Sequence, residues 1–169
     1  MNPTGRLEDD GRTLLLSRTF RAPADVVWAS VTESERLGRW FGTWTGDPAE
    51  GFVLVSMNAE PEVGPPARFE ITVCEPPRRL SVESRDDNGT WKVTLELTEA
   101  DGVTTLVFRQ DDLDPSSAPN VGPGWEWYLD RLVAAEAGQP RPDLEAFDTD
   151  YMPLSAAYEA MLPPGTDAS

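Results

Sequence analysis

Apolar positions recur along this chain in two periods. From Asn120 to Gly138 (NVGPGWEWYLDRLVAAEAG), Trp125, Leu129, Leu132 and Val133 fall at helical spacing and form one stripe, with Glu126, Asp130 and Arg131 on other faces. Pro123 suits a first helical turn, and Gly138 followed by Pro140 supplies a stop, so the spacing predicts a long helix near the C-terminus. Trp127 stands about 200° around that helix from Trp125, facing either a partner or the C-terminal tail.

Most of the remaining apolar residues alternate with polar ones, the period of a half-buried strand. Arg12 to Phe20 predicts a first strand in which Leu14, Leu16, Arg18 and Phe20 share one parity. Two short helices follow, one starting near Ala24 and one at Ser34, whose hydroxyl suits an N-cap. The second runs into Trp40 and Phe41, with Gly42 as its stop. Gly51 to Asn58 reads as a strand too uniformly apolar to fix which parity faces inward, and Glu60 to Pro66 as a proline-rich turn. Ala67 to Cys74 alternates, placing Ala67, Phe69, Ile71 and Val73 on one face and Cys74 on the polar one, and Pro76-Pro77 breaks it. Arg79 to Arg85 turns Leu80 and Val82 inward, Asp86 to Gly89 is a hairpin signal, and Thr90 to Thr98 points Trp91, Val93, Leu95 and Leu97 one way. After Asp101-Gly102, Val103 to Gln110 returns with Leu106 and Phe108 inward.

An antiparallel meander with one apolar face needs a cover, and the long helix is the available one. The expected architecture is α+β: a curved antiparallel sheet wrapped around a long C-terminal helix, with two short helices after the first strand. A single domain over 12–161 is expected, with flexible termini at 1–11 and 163–169. The tail after Gly138 carries Leu144, Phe147, Tyr151, Leu154, Tyr158 and Met161 and is expected to pack back on the body through a short helix at Leu154 to Met161.

Composition narrows the chemistry. The 169 residues carry a net charge of −16, which argues against the nucleic-acid backbone and anionic membranes as partners. There is no histidine, so Ser-His-Asp and Cys-His mechanisms are excluded, as are zinc sites that need histidine. A single cysteine, Cys74, cannot form an internal disulfide, and with no activating base beside it in the sequence it reads as inert. No apolar run matches a membrane span and the first residues lack a signal-peptide core, so a cytoplasmic protein is expected. Asp111, Asp112, Asp114 and Asn120 crowd one loop, but the glycine and terminal glutamate of a calcium loop are missing; the reading is a solvated loop with no metal and no cofactor.

Three stretches carry a family resemblance. Arg18 to Trp28 (RTFRAPADVVW) joins a strand ending in Phe to Ala-Pro and then Val-Trp on a helix; Glu35 to Phe41 forms a second motif; Gly124-Trp125 through Tyr128 to Leu132 forms a third, followed by the Tyr158 tail. In this order they resemble the START-like, or SRPBCC, superfamily, and within it the branch homologous to the C-terminal domain of the activator of the heat-shock chaperone ATPase. The resemblance implies a helix-grip fold with a deep apolar cavity between sheet and long helix. Other branches use such a cavity for lipids, hydrophobic hormones or polyketide cyclisation. It assigns no catalytic residue here.

On that fold Trp40, Phe41, Trp44, Phe69, Trp91, Phe108, Trp125, Tyr128 and Leu129 converge on the space between sheet and helix, either as a ligand-binding lining or as a filled core. Arg18 either holds the anionic head group of an apolar ligand or sits at a sheet edge and reaches water. Three functional readings follow. The first is non-enzymatic binding of a small hydrophobic molecule, in stress response or with a protein partner. The second is a cyclase or aromatase-like enzyme, whose acid/base groups would be Asp, Glu, Tyr or Arg inside the cavity. The third is a co-chaperone-like adaptor marked by an exposed apolar patch at Trp127, without the chaperone-binding domain such an activator uses. A monomer or homodimer fits each.

Overall fold

The alternating runs pair into one antiparallel sheet. The computed structural model describes residues 1–61, 64–86 and 89–165. Its strands are β1 (Arg6–Glu8), β2 (Thr13–Phe20), β3 (Gly42–Thr45), β4 (Phe52–Met57), β5 (Ala67–Glu75), β6 (Arg79–Asp86), β7 (Gly89–Ala100) and β8 (Val103–Asp111). They lie in the order β1-β2-β8-β7-β6-β5-β4-β3. Register sets the inner face: Phe108 stands opposite Leu95, Leu95 opposite Leu80, and Leu80 opposite Cys74. A second row runs Trp91, Ser84, Phe69, Val53. Helices α1 (Ala24–Thr32) and α2 (Ser34–Leu37) sit between β2 and β3, and the long helix α3 (Ala118–Glu136) covers the apolar face. The result is the α+β helix-grip architecture.

Several local expectations give way to specific contacts. Helix α3 starts at Ala118 with Pro119 in its first turn, so Pro123 is an interior proline. Its end is as expected: Gly138 adopts a left-handed φ of 66°, and its N–H bonds Ala135 O. Ser34 does not cap α2, which is preceded by Glu33; its hydroxyl donates to Trp44 O (2.9 Å) and accepts from Trp44 N (2.8 Å), tying α2 to β3. Gly42, expected to stop a helix, opens β3 instead, where a Cβ would collide with the Ser56 carbonyl of β4. In β5 the register shifts between Ile71 and Val73, a bulge at Thr72. The extra residue reverses parity beyond it, so Cys74 aligns with Leu80 on the cavity side rather than on the polar face.

The N-terminal segment is not frayed from the start. Strand β1 pairs with β2, and the Thr4 and Gly5 N–H groups both donate to Glu126 on α3 (2.7 and 2.9 Å). A buried carboxylate needs donors, and this segment supplies them. The tail packs back as expected. After a short helix α4 (Leu144–Ala146), a π-helical turn (Phe147–Tyr151) and a 3-10 turn (Met152–Leu154) lead into α5 (Ser155–Ala160). Tyr151, Leu154 and Tyr158 are buried there. Of the expected turns, Glu62, Val63, Asp87 and Asn88 lie outside the described residues, as do 166–169 of the expected flexible end; the strands flanking the hairpin pair with Asp86 opposite Gly89.

Candidate functional site

Between α3 and the inner face of the sheet lies a cavity of about 1260 Å³, partly open to solvent. Trp40, Phe41, Trp44, Phe69, Trp91, Phe108, Trp125, Tyr128 and Leu129 all line it. The two-residue period delivers Phe69, Trp91 and Phe108 from three strands, and the helical stripe delivers Trp125, Tyr128 and Leu129 from α3. Trp125 stands in the middle: its ring lies 4.4 Å from Phe108, 5.8 Å from Tyr128, 5.9 Å from Phe41 and 6.4 Å from Trp91, centroid to centroid.

Several of the indole N–H groups in the wall are already bonded to protein. Trp125 Nε1 donates to Gln110 Oε1 (2.8 Å), Trp40 Nε1 to Ser30 O (2.9 Å) and Trp44 Nε1 to Thr32 O (2.8 Å). The rings are therefore held in orientation while their faces stay apolar. Gln110 is only 2% exposed and escaped the sequence reading, although it continues the inward parity of Leu106 and Phe108. Trp127 also borders the cavity, but it faces the tail: its Nε1 donates to Asp143 O (3.0 Å), its ring packs on Phe147, and the Arg131 guanidinium lies 4.8 Å over it.

Arg18 is not part of this lining. It donates to Glu126 Oε2 (3.0 Å), Asp130 Oδ1 (2.9 Å) and Thr4 Oγ1 (2.8 Å). The correction has a geometric cause. Strand β2 meets the flank of α3 that carries Glu126 and Asp130, one turn apart, rather than the flank that carries Trp125. Glu126 is the hub of this second cluster. Besides Thr4, Gly5 and Arg18 it accepts from Tyr158 Oη at 2.5 Å. Burial alone would raise its carboxyl, but the hydrogen bonds from Thr4, Tyr158 and Gly5 outweigh burial and hold it below its ordinary value. Asp130 in turn accepts from Tyr151 Oη (2.6 Å).

Polar chemistry in the cavity is sparse. The buried Tyr128 hydroxyl makes no well-formed hydrogen bond among the described residues, and the Glu60 carboxylate is the acceptor that lies near it. Burial pushes its pKa up and the nearby Glu60 carboxylate pushes it further, so the phenol stays protonated. The acidic loop is engaged otherwise: Lys92 pairs with Asp112 (2.6 Å), Arg109 with Asp111, and Asp114 accepts from Ser116. Among the described residues no three metal-ligating side chains come together, and no helix is long and apolar enough to cross a membrane.

Comparison with known proteins places this geometry. A family model described as Activator of Hsp90 ATPase homolog 1-like protein matches residues 21–136. Among solved structures, CalU16 from Micromonospora echinospora is similar at 27% identity over 93% of each chain, with a TM-score of 0.70. A protein from Bordetella parapertussis superposes at a TM-score of 0.73 with 24% identity, over 96% of this chain and 95% of its own. DynU16, described as a putative protein in the dynemicin biosynthetic locus, does so at 0.66 with 24% identity, over 77% of this chain and 49% of its own. At those lower identities the last two bear on the fold alone. No curated protein matches.

Proposed function

Since the chain belongs to the Activator of Hsp90 ATPase homolog 1-like family, whose fold is used to bind small molecules or proteins, we propose that it binds a small hydrophobic molecule between sheet and α3. One observation supports this reading: a cavity of about 1260 Å³ on whose wall aromatic side chains of the sheet, of α3 and of the segment after α2 converge, with Trp125 at the centre. Ligand sites usually occupy roughly 300–1,000 Å³ and are mostly apolar with few polar groups. This cavity is at least that large, and the N–H groups of Trp40, Trp44, Trp125 and Trp127 are spent on the protein. The contribution to affinity is then burial of apolar surface, about 25 cal/mol per Å², with orientation left to a few groups.

Mass spectrometry of the purified protein under native conditions tests the reading. A co-purified small molecule, or one-to-one retention of an added apolar compound, supports it; a protein that carries and retains nothing counts against it.

The enzyme reading keeps one specific support, a tyrosine beside a carboxylate at the cavity wall: Tyr128 with Glu60. A phenol held protonated is suited to donate a hydrogen bond or a proton, not to abstract one. The adaptor reading has lost its marker, because Trp127 is 2% exposed beneath the tail.

A further inference from the structure

The charged groups of the cavity wall are of one sign. Glu60 and Asp148 belong to the described lining, and no Lys or Arg does. Both carboxylates are exposed at the rim, and neither enters an ion pair among the described residues. They mark the same end. Glu60 acts on Tyr128; Asp148 follows Phe147, whose ring packs on Trp127 at 5.5 Å, and Trp127 packs on Tyr128 at 4.9 Å. Tyr128 itself is 6% exposed, and its hydroxyl makes no well-formed hydrogen bond there, with Glu60 the acceptor near it. The Arg131 guanidinium also acts on Tyr128 but lies behind the wall, 4.8 Å over the Trp127 ring, with its Nε donating to Trp40 O and its Nη1 to Pro142 O.

Aromatic faces attract cations through their quadrupole, and unpaired carboxylates add a direct attraction. A carboxylate brought to this end would meet two like charges and find no free cation in the wall. Resting on the ligand-binding reading above, we infer that the cavity takes an apolar ligand bearing a basic amine at the Glu60–Asp148 end and discriminates against carboxylate-bearing counterparts. Amphiphiles of fatty-acid type are thereby disfavoured, and aromatic or polycyclic amines favoured.

A charge-matched set of dansyl probes tests this: the amides of cadaverine (cationic), of hexylamine (neutral) and of 6-aminohexanoic acid (anionic), each titrated at low and high salt. The cationic probe is expected to bind about tenfold more tightly than the anionic one at low salt, the gap closing as salt is added. In the double variant Glu60→Gln/Asp148→Asn the gap should fall to about twofold or less while the hexylamide binds as before. An anionic probe bound as tightly as the cationic one would overturn the inference. So would a gap that survives the double variant, which would assign it to the net charge of −16 rather than to the rim. Absence of any saturable hexylamide site would instead overturn the binding reading, and this inference with it.

Discussion

Trp125 and Trp127 lie two positions apart on one helix and do different work. Trp125 is half-buried, touches aromatic rings from the sheet and the segment after α2, and presents its face to the cavity. Trp127 is buried under the tail and clamped by Asp143, Phe147 and Arg131. Trp125→Ala should therefore weaken binding of a neutral apolar probe by about tenfold or more, roughly 1.4 kcal/mol, with a modest loss of stability. Trp127→Ala should lower folding stability by about 3 kcal/mol in chemical denaturation while the folded fraction binds nearly as before. Equal effects of the two on binding would contradict the assignment. Glu126 is the third residue with a distinct task. Its folded pKa is held below its ordinary value of 4.5, so its contribution to stability is present above the unfolded pKa and is lost as pH falls through the folded one. Glu126→Gln should cost about 3 kcal/mol at pH 7, because Arg18 loses its buried partner, and should flatten the fall in stability as pH drops below 4.5. A variant whose loss at pH 7 persists undiminished well below pH 4.5, once the wild-type carboxylate is protonated, would show that the charge is not what matters.

At the scale of elements, α3 organises the fold through two flanks. One faces the cavity; the other carries Glu126 and Asp130 and gathers β1, β2 and the tail. Gly122 marks the closest approach: a Cβ there would lie 2.7 Å from three ring atoms of Tyr158. Gly122→Ala should loosen α5 from α3, cost about 1–3 kcal/mol, and raise hydrogen exchange in residues 151–160 before the sheet. Unchanged exchange in the tail would contradict that packing. These elements explain what could be read in the sequence. The stripe on α3, the alternation of β5 to β8 and the apolar tail are periodic patterns, and they led to the sheet, the helix and the cavity positions of Phe69, Trp91, Phe108, Trp125, Tyr128 and Leu129, while Trp40, Phe41 and Trp44 came from the family resemblance. What could not be read was set by contacts distant in sequence. Strand β1 and the anchored N-terminus depend on Glu126, over a hundred residues away. Strand β3 hides behind Gly42, which reads locally as a helix stop. The bulge at Thr72 moves Cys74 across the sheet without any composition signal. Arg18 followed its parity inward, but parity along a strand says nothing about which flank of the covering helix awaits it.

The whole molecule is an acidic shell around an aromatic cavity. Its net charge of −16 surrounds a wall that contains no cationic side chain among the described residues, so the molecule as a whole and its site favour the same sign of ligand. The central claim is that the space between sheet and α3 is a binding site and not a core that closes in solution. Titration of the neutral dansyl hexylamide, read through quenching of tryptophan emission by energy transfer, tests it most directly. The account predicts a saturable site of one probe per chain, lost or strongly weakened in Trp125→Ala. A linear, non-saturating response, or saturation that is unaffected in Trp125→Ala, would contradict it.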